Sequence, residues 1–207
     1  MSNHSTELFD LLSDLVGDKE LHSRWLNTLS MMENIGARKI SAGEHPVNVT
    51  ETVLKHAAEE ARHAYYLKRQ IKKIKQDACP TYAPEYLING RKSANYMHRL
   101  DSRISKTLRE KAGLKGRELK YAAYVLVTYA VEVRADHVYG AYETALKAHK
   151  SSVSVRGILA EEEQHLAEME EMIDDVFENG DEWRKRALDI ETVLYADWMQ
   201  TFRQELH

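Results

Sequence analysis

The sequence predicts an all-α fold. Only three Pro and nine Gly occur in 207 residues, so few positions interrupt a helix. Alanine, leucine, glutamate and lysine, which favour helices, are abundant. Apolar residues recur at the spacing of one helix face, and no strand-type alternation competes. The chain is long enough for one well-buried domain, or two small ones at most, and we expect one helical domain over residues 1–207.

Helix breakers divide the first part of the chain into one short helix and two long ones. The short amphipathic helix is expected at residues 5–16, and the long helices at about 19–41 and 51–77. Asn48 or Thr50 can cap the second long helix, because their side chains accept hydrogen bonds from the first turn. The breakers that separate and end these helices are Gly17, Gly43, Pro46, Pro80 and Pro84.

The second part of the chain begins with a less regular and basic connection over about 78–114, which contains one further helix at 87–111. Two more long helices are expected at about 116–149 and 152–179. A last short helix covers 182–205.

The lengths of the connections predict how the four long helices pair. Each of the two consecutive pairs is joined by a short loop, which predicts two antiparallel hairpins. The connection between the hairpins is long enough to cross the length of a bundle. The sequence therefore predicts a four-helix bundle over about 19–179, made of two hairpins joined by one long crossover, with extra short helices at the N-terminus, in the crossover and at the C-terminus.

A Glu-x-x-His motif occurs twice, as Glu60-Ala-Arg-His63 and Glu162-Glu-Gln-His165. Residues three apart share a helix face, so the glutamate and histidine of each copy can bind one metal ion. Both copies lie in long amphipathic helices. The repeat therefore predicts a site with two metal ions.

The apolar stripe selects one glutamate from each cluster of glutamates. Glu60 lies in the middle of its stripe, whereas Glu59 falls on a flank. Glu162 lies on the stripe of its helix, whereas Glu161 and Glu163 point elsewhere. We therefore expect Glu60 and Glu162 to be the inward-facing residues.

The other two long helices each offer one inward glutamate. Glu33 lies one turn from Leu29 and Gly36 on the buried side of its helix. Glu132 is the only charged residue in the run 121–133, and such an uncharged stretch is typical of a central buried helix. Burying four carboxylates without compensation would cost several kcal/mol each, whereas two divalent cations would neutralise them.

Three further residues are candidates for supporting the site. His56 lies one turn before Glu60 on the same face, and is a possible extra ligand or a partner of a ligand. Asp136 follows Glu132 by one turn, where it can orient a ligand histidine. Tyr129, like Tyr65, is expected in the core, and near a metal site it could donate a hydrogen bond or carry a radical.

The ligand order over residues 19–175 resembles that of the ferritin-like di-iron carboxylate superfamily. The resemblance implies two iron ions, with manganese or a mixed pair as alternatives, bridged by Glu60 and Glu162. Glu33 and Glu132 would be the terminal carboxylates, and each ion would have one histidine. It also implies that the reduced site reacts with O2 to oxidise a substrate. The six expected ligands are Glu33, Glu60, His63, Glu132, Glu162 and His165.

Within that superfamily the size and spacing resemble the small di-iron oxidases and oxygenases. A single cysteine excludes the Cys-x-x-Cys iron domain of rubrerythrins, and His165 supplies a second histidine that iron-storing ferritins generally lack. Glu132-x-Arg134 is similar to the tRNA-modifying hydroxylases, and segment 68–120 carries 15 Lys and Arg against 5 Asp and Glu. RNA is therefore an alternative to a small-molecule substrate. A non-catalytic protein that stores metal or acts as an interaction module is the other alternative.

Composition also suggests where the protein works. No run of about 18 apolar residues is present, so no membrane span is expected. The N-terminus lacks a signal-peptide pattern, and Cys79 has no partner for an internal disulfide. We therefore expect a cytoplasmic protein, and helical bundles of this kind often form homodimers.

Overall fold

A computed structural model describes residues 2–45 and 47–206, and within them the all-α prediction is confirmed. No strand occurs in this part of the chain. Pro46, expected in the loop after the first long helix, lies outside the described residues. Single 3-10 turns occur at Ile71–Lys73 and Pro84–Tyr86. The α-helices are α1 (Ser2–Gly17), α2 (Lys19–Gly43), α3 (Glu51–Gln70), α4 (Gly90–Ala112), α5 (Gly116–Ala148), α6 (Arg156–Val176) and α7 (Gly180–Leu206).

Side-chain caps fix where α2 and α3 begin. The Asp18 carboxylate accepts hydrogen bonds from the backbone N–H groups of Glu20 and Leu21, at 2.7 and 2.9 Å. Thr50, rather than Asn48, caps α3 by accepting from the N–H of the third residue of the helix. These bonds satisfy N–H groups that lack partners in the first turn, and so define both helix starts.

Helices α2 and α3 run in opposite directions. The Ser30 hydroxyl donates to the backbone carbonyl of Ala64 at 2.6 Å, and the Lys68 ammonium donates to the side-chain oxygen of Asn27. Residue numbers therefore fall along α2 as they rise along α3.

Helices α5 and α6 are also antiparallel. The Glu143 carboxylate accepts from the N–H of Val155 at 2.9 Å, near the loop that joins them. Further along, His165 Nδ1 lies 3.6 Å from an oxygen of Glu132. Helix α6 begins at Arg156 rather than at the expected residue 152, and Val155 is the residue just before it.

Contacts between α3 and α6 relate the two pairs. Lys55 forms an ion pair with Glu168 at 2.5 Å, and the Tyr66 hydroxyl donates to the carbonyl of Ser154 at 2.8 Å. Helices α3 and α6 are thus antiparallel, so α3 and α5 point the same way. The chain between α3 and α5 must therefore return along the length of these helices.

Polar side chains of α2 hold the crossover in place. The Asn27 amide donates to the carbonyls of Thr81 and Tyr86, at 2.9 and 2.8 Å. At the start of α4, a Cβ on Gly90 would lie 2.4 Å from the side chain of Leu87, so only glycine fits there. Helix α4 then packs against α2, α5 and α7.

Two expected features of the helices are wrong. The second long helix ends at Gln70 rather than near residue 77, because a 3-10 turn follows and Asp77 and Cys79 adopt left-handed backbone conformations. The helices in the crossover and at the C-terminus are not short: α4 has 23 residues and α7 has 27. Both pack against α5, so they bury apolar faces comparable to those of the other helices.

Helix α5 is the central element of the fold. It contacts α1, α2, α4, α6 and α7, which explains why its middle has almost no charged residues. Tyr121 is the exposed exception at the start of the run 121–133. No helix in the described part of the chain, α5 included, combines the length and apolar content needed to cross a bilayer.

One buried ion pair joins α5 to α7. The Arg134 guanidinium donates two hydrogen bonds of 2.8 Å to the carboxylate of Glu191, whose side chain is 2% exposed. Tyr96 of α4 donates to the same carboxylate at 2.7 Å, and Arg134 lies 3.6 Å from the ring centroid of Tyr195. The pair is fully hydrogen-bonded, which is the condition for tolerating buried charge.

We expect Glu191→Ala to lower the free energy of unfolding by about 3 kcal/mol, because Arg134 would remain partly buried without a counter-charge. Urea unfolding followed by circular dichroism measures the change. The matched control is Asp189→Ala on the same helix, which breaks an exposed ion pair with Lys185 and should change stability little. Equal effects of the two substitutions would contradict the assignment.

Candidate metal centre

The six side chains predicted as ligands lie together between α2, α3, α5 and α6. Glu33 is half-buried and the other five are buried. We refer to them as the carboxylate–histidine cluster. Its members are Glu33, Glu60, His63, Glu132, Glu162 and His165.

The cluster consists of two overlapping groups of four side chains. In each group, one potential ligand atom per residue lies within 4.8 Å of the others. Glu33 and His63 belong only to the first group, and Glu132 and His165 only to the second. Glu60 and Glu162 belong to both. Each group could hold one metal ion, and the two shared carboxylates belong to the candidate ligands of both ions.

A glycine allows Glu60 to reach the centre of the cluster. Gly36 lies on α2, one turn after Glu33, and a Cβ there would be 2.9 Å from an oxygen of Glu60. Any side chain at this position would therefore displace the carboxylate. The close approach of α2 and α3 at this level depends on the missing side chain.

Each cluster histidine is held by a carboxylate from the opposite helix. His63 Nε2 on α3 hydrogen-bonds Glu161 of α6 at 2.7 Å. His165 Nε2 on α6 hydrogen-bonds Glu59 of α3 at the same distance. In both residues the carboxylate favours a proton on Nε2, which leaves the lone pair of Nδ1 directed at the cluster.

Three buried atoms of the cluster lack hydrogen-bond partners. His63 Nδ1 lies 3.1 Å from Glu162 Oε1 without hydrogen-bond geometry, and both atoms are unpartnered. His165 Nδ1 is unpartnered as well, 3.6 to 3.9 Å from the oxygens of Glu132, Glu162 and Glu60. Buried polar atoms without partners are rare in proteins. Two imidazole nitrogens and four carboxylates directed at a common centre fit divalent metal ions.

Glu59 was expected on a flank of its helix and Glu161 was expected to point elsewhere, and neither was expected to hold a histidine. Each is partly exposed, so the apolar stripe does place it at the flank, but from there it reaches the histidine across the helix pair. The sequence does carry a signal for this role. Both copies of the motif read Glu-Glu-x-x-His, with the supporting glutamate directly before the inward one.

His56 lies beside the cluster but in neither group. Its Nδ1 is 3.0 Å from the hydroxyl of Tyr124, and its Nε2 is 2.7 Å from Glu168, which is paired with Lys55. The ring centroids of His56 and His165 are 4.7 Å apart. With both nitrogens engaged, His56 is placed to support the cluster rather than to bind an ion.

The structure does not bring Asp136 or Tyr129 to the cluster. Asp136 is exposed, and the cluster histidines are held by Glu59 and Glu161 instead. Tyr129 is buried, but the charges that act on it belong to the side chains of α6 and α7. Tyr65 is 63% exposed and not a core residue. The tyrosine that does reach the cluster is Tyr139, whose hydroxyl donates to Glu33.

Burial and mutual repulsion perturb the titration of the cluster. Burial raises the pKa of Glu33, and it raises the pKa of Glu60 and Glu132 well above the usual range, with further increases from neighbouring carboxylates. Burial also acts to raise the pKa of Glu162, but its interactions with Glu132 and with the two neighbouring histidines outweigh burial and lower this pKa. For His165, burial acts to lower the pKa, but the neighbouring carboxylates of Glu162 and Glu59 outweigh it and raise this pKa to about 9.

Two neighbouring cavities with shared lining residues reach the cluster. An inner chamber of about 80 Å³ lies against its four carboxylates and is otherwise walled mainly by apolar and aromatic side chains, among them Trp25, Tyr96 and Trp198. A second cavity of about 420 Å³, the outer channel, lies between α2, α4 and α5. Both are lined by Gly36, Glu60, Met97, Val131 and Glu132.

Comparisons of the chain with known protein families, with curated proteins and with solved structures found no match. The chemistry of the cluster is therefore interpreted from its own geometry. Four carboxylates, two imidazoles with free Nδ1 atoms, and a cavity on one side can together hold two cations and admit a small molecule to them.

We expect the metal-free protein to lose stability as the pH rises from about 4.5, the ordinary pKa of its carboxyl groups, to about 9, the raised pKa of His165. Raised pKa values mean that the folded state keeps protons on Glu33, Glu60, Glu132 and His165 that the unfolded chain releases. Stability from these groups is therefore present at low pH and lost as the pH rises through their folded-state pKa values. Thermal unfolding with a chelator present measures it.

Addition of Mn²⁺ should raise the melting temperature more at the upper end of this range than at the lower end, because metal and protons compete for the same atoms. The double variant Glu60→Gln/Glu132→Gln should have a weaker pH dependence. A melting temperature of the metal-free protein that rises over this range would contradict the analysis.

Glu59→Ala and Glu161→Ala should each weaken metal binding by about 10- to 100-fold. Each substitution leaves one ligand histidine free to rotate and no longer favours the proton on its Nε2 atom. Titration with Mn²⁺ in competition with a chelating dye measures the affinity. Glu51→Ala on α3 and Glu163→Ala on α6 are matched controls, since both remove an exposed glutamate from the same two helices. Affinities that respond equally to all four substitutions would refute a specific role.

Proposed function

We propose that this protein is a ferritin-like dinuclear metal carboxylate protein that uses O2 to oxidise a substrate. Helices α2, α3, α5 and α6 are the four helices of the bundle, and α4 lies in its crossover. The directions of the pairs α2–α3, α5–α6 and α3–α6, and the return of the chain between α3 and α5, support this arrangement.

The observation that carries the proposal is the sharing of Glu60 and Glu162 by two four-residue groups. In the proposed site these two carboxylates would be ligands of both ions. Glu33 and His63 would complete the ligand set of one ion, and Glu132 and His165 would complete that of the other. Carboxylates and imidazoles suit iron and manganese alike, so the proposal is two iron ions, with two manganese ions or a mixed pair as variants.

When bound in the reduced state, such ions supply the electrons that activate O2. The chain's own contribution is geometric and electrostatic. Glu59 and Glu161 orient the ligand histidines, and Tyr139 holds Glu33 by a hydrogen bond. The apolar walls of the inner chamber keep bulk water away from the side of the cluster where a substrate would lie.

The cavities favour an oxidase or oxygenase over a storage protein or an interaction module. A non-catalytic bundle is expected to have a filled core with no channel to the cluster. Here the inner chamber and the outer channel both reach Glu60 and Glu132. A cavity that ends at the candidate metal ligands is the arrangement required to bring a second molecule to the ions.

The contacts of the basic segment 68–120 favour a structural role over RNA binding for several of its residues. Lys68 donates to the Asn27 side chain and to the carbonyl of Cys79, and Lys75 pairs with Glu20. Their charges are thus used to hold the crossover rather than presented as a free cationic surface. A small-molecule substrate is accordingly the preferred proposal.

Reconstitution with Fe²⁺ under anaerobic conditions should load about two iron ions per chain. Mixing with O2 should then consume oxygen and change the optical spectrum. His63→Ala and His165→Ala should each reduce the iron content and the oxygen uptake, whereas His98→Ala, at an exposed position of α4, is the control and should change neither. Full loading with no O2 consumption would favour metal storage. Failure to bind any divalent metal would refute the proposal altogether.

A further inference from the structure

The outer channel has a graded polarity along its length. Its rim carries Lys39, Asp101, Arg109 and Lys120 from α2, α4 and α5. Its walls are largely apolar, and include the buried side chains of Ile40, Ala123 and Val127. Its inner end is formed by Glu60 and Glu132 of the cluster. The volume of about 420 Å³ is within the range of small-molecule sites.

The rim has a net positive charge that the fold does not neutralise. Lys39 pairs with Asp101 at 2.7 Å. The Arg109 Nε donates to the carbonyl of Ser105 in its own helix at 3.2 Å, which directs the guanidinium without compensating its charge. Among the described residues, no carboxylate pairs with Arg109 or Lys120. Two cationic groups are thus available to a ligand at the mouth of the channel.

The rim and the cluster are separated by a distance that suits an elongated ligand. Lys120 and Glu132 are both on α5, twelve residues apart, which corresponds to about 18 Å along the helix. A ligand spanning this distance would meet apolar walls along most of its length. A wholly polar ligand would make no apolar contacts with these walls, and a wholly apolar ligand would form no ion pair with the two cationic groups.

We propose that the outer channel binds an anionic amphiphile, with its anionic group at Arg109 and Lys120 and its apolar chain directed towards Glu60 and Glu132. The claim that this amphiphile is the substrate rests on the proposed function, in which the end of its apolar chain would lie beside the ions. The claim that the channel binds an amphiphile rests only on the channel. Decanoate is a suitable probe, and decanol is its uncharged counterpart.

The test is calorimetric titration of both probes into zinc-loaded protein, since zinc occupies the cluster without redox chemistry. Decanoate should bind at one site per chain, and more tightly than decanol. The variant Arg109→Ala/Lys120→Ala should weaken decanoate binding by about tenfold or more and leave decanol unchanged, and rising salt should act on decanoate alone. The control Arg103→Ala/Lys115→Ala removes the same charge from exposed residues outside the channel and should change neither.

Two results would overturn the inference: decanoate that binds no better than decanol, or decanoate affinity that depends on zinc but not on Arg109 and Lys120. The second result would mean that the carboxylate enters first and binds the ions. Zinc content is measured on the same samples. Zinc without decanoate binding contradicts the channel inference alone, whereas decanoate binding without any metal binding supports the channel and contradicts the proposed function.

Discussion

The structure depends on the burial of four carboxylates and two imidazoles within a few ångströms of one another. Such a group is costly to remove from water unless its charges are paired, protonated or bound to cations. Four helices supply it, because α3 and α6 each contribute a glutamate and a histidine, and α2 and α5 each contribute one glutamate. The pairing and direction of α2, α3, α5 and α6, the glycine that admits Glu60, and the outer carboxylates on both histidines all serve this arrangement.

The inward-facing residues were predictable because helix periodicity acts along one helix. The stripe around Glu60 separates it from Glu59, and the uncharged run on α5 isolates Glu132. The same reasoning identifies the long helices that carry these residues. It depends on residues within about two turns of each other, for which the geometry of a helix is fixed in advance.

The residues that were missed depend on the register between helices, which periodicity does not contain. Glu59 reaches His165 only because α3 and α6 are antiparallel and aligned at that level. Asp136 has favourable spacing on its own helix but faces solvent, since the rotation of α5 about its axis is set by packing against five other helices. Tyr139 was missed for the same reason: its partner, Glu33, lies on α2.

The cluster is asymmetric, because polar side chains surround one side of it and cavities border the other. On the side of α3 and α6, chains of hydrogen bonds lead from the histidines through Glu59 and Glu161 to the surface, where Arg62 pairs with Glu161. On the opposite side, the two cavities are lined by α2, α4, α5 and α7, and α3 and α6 contribute only their cluster carboxylates. One face of the cluster is thus hydrogen-bonded to groups at the surface, whereas the other borders cavities with largely apolar walls. The long helices α4 and α7 cover the apolar side of the cluster, which would be open to water without them.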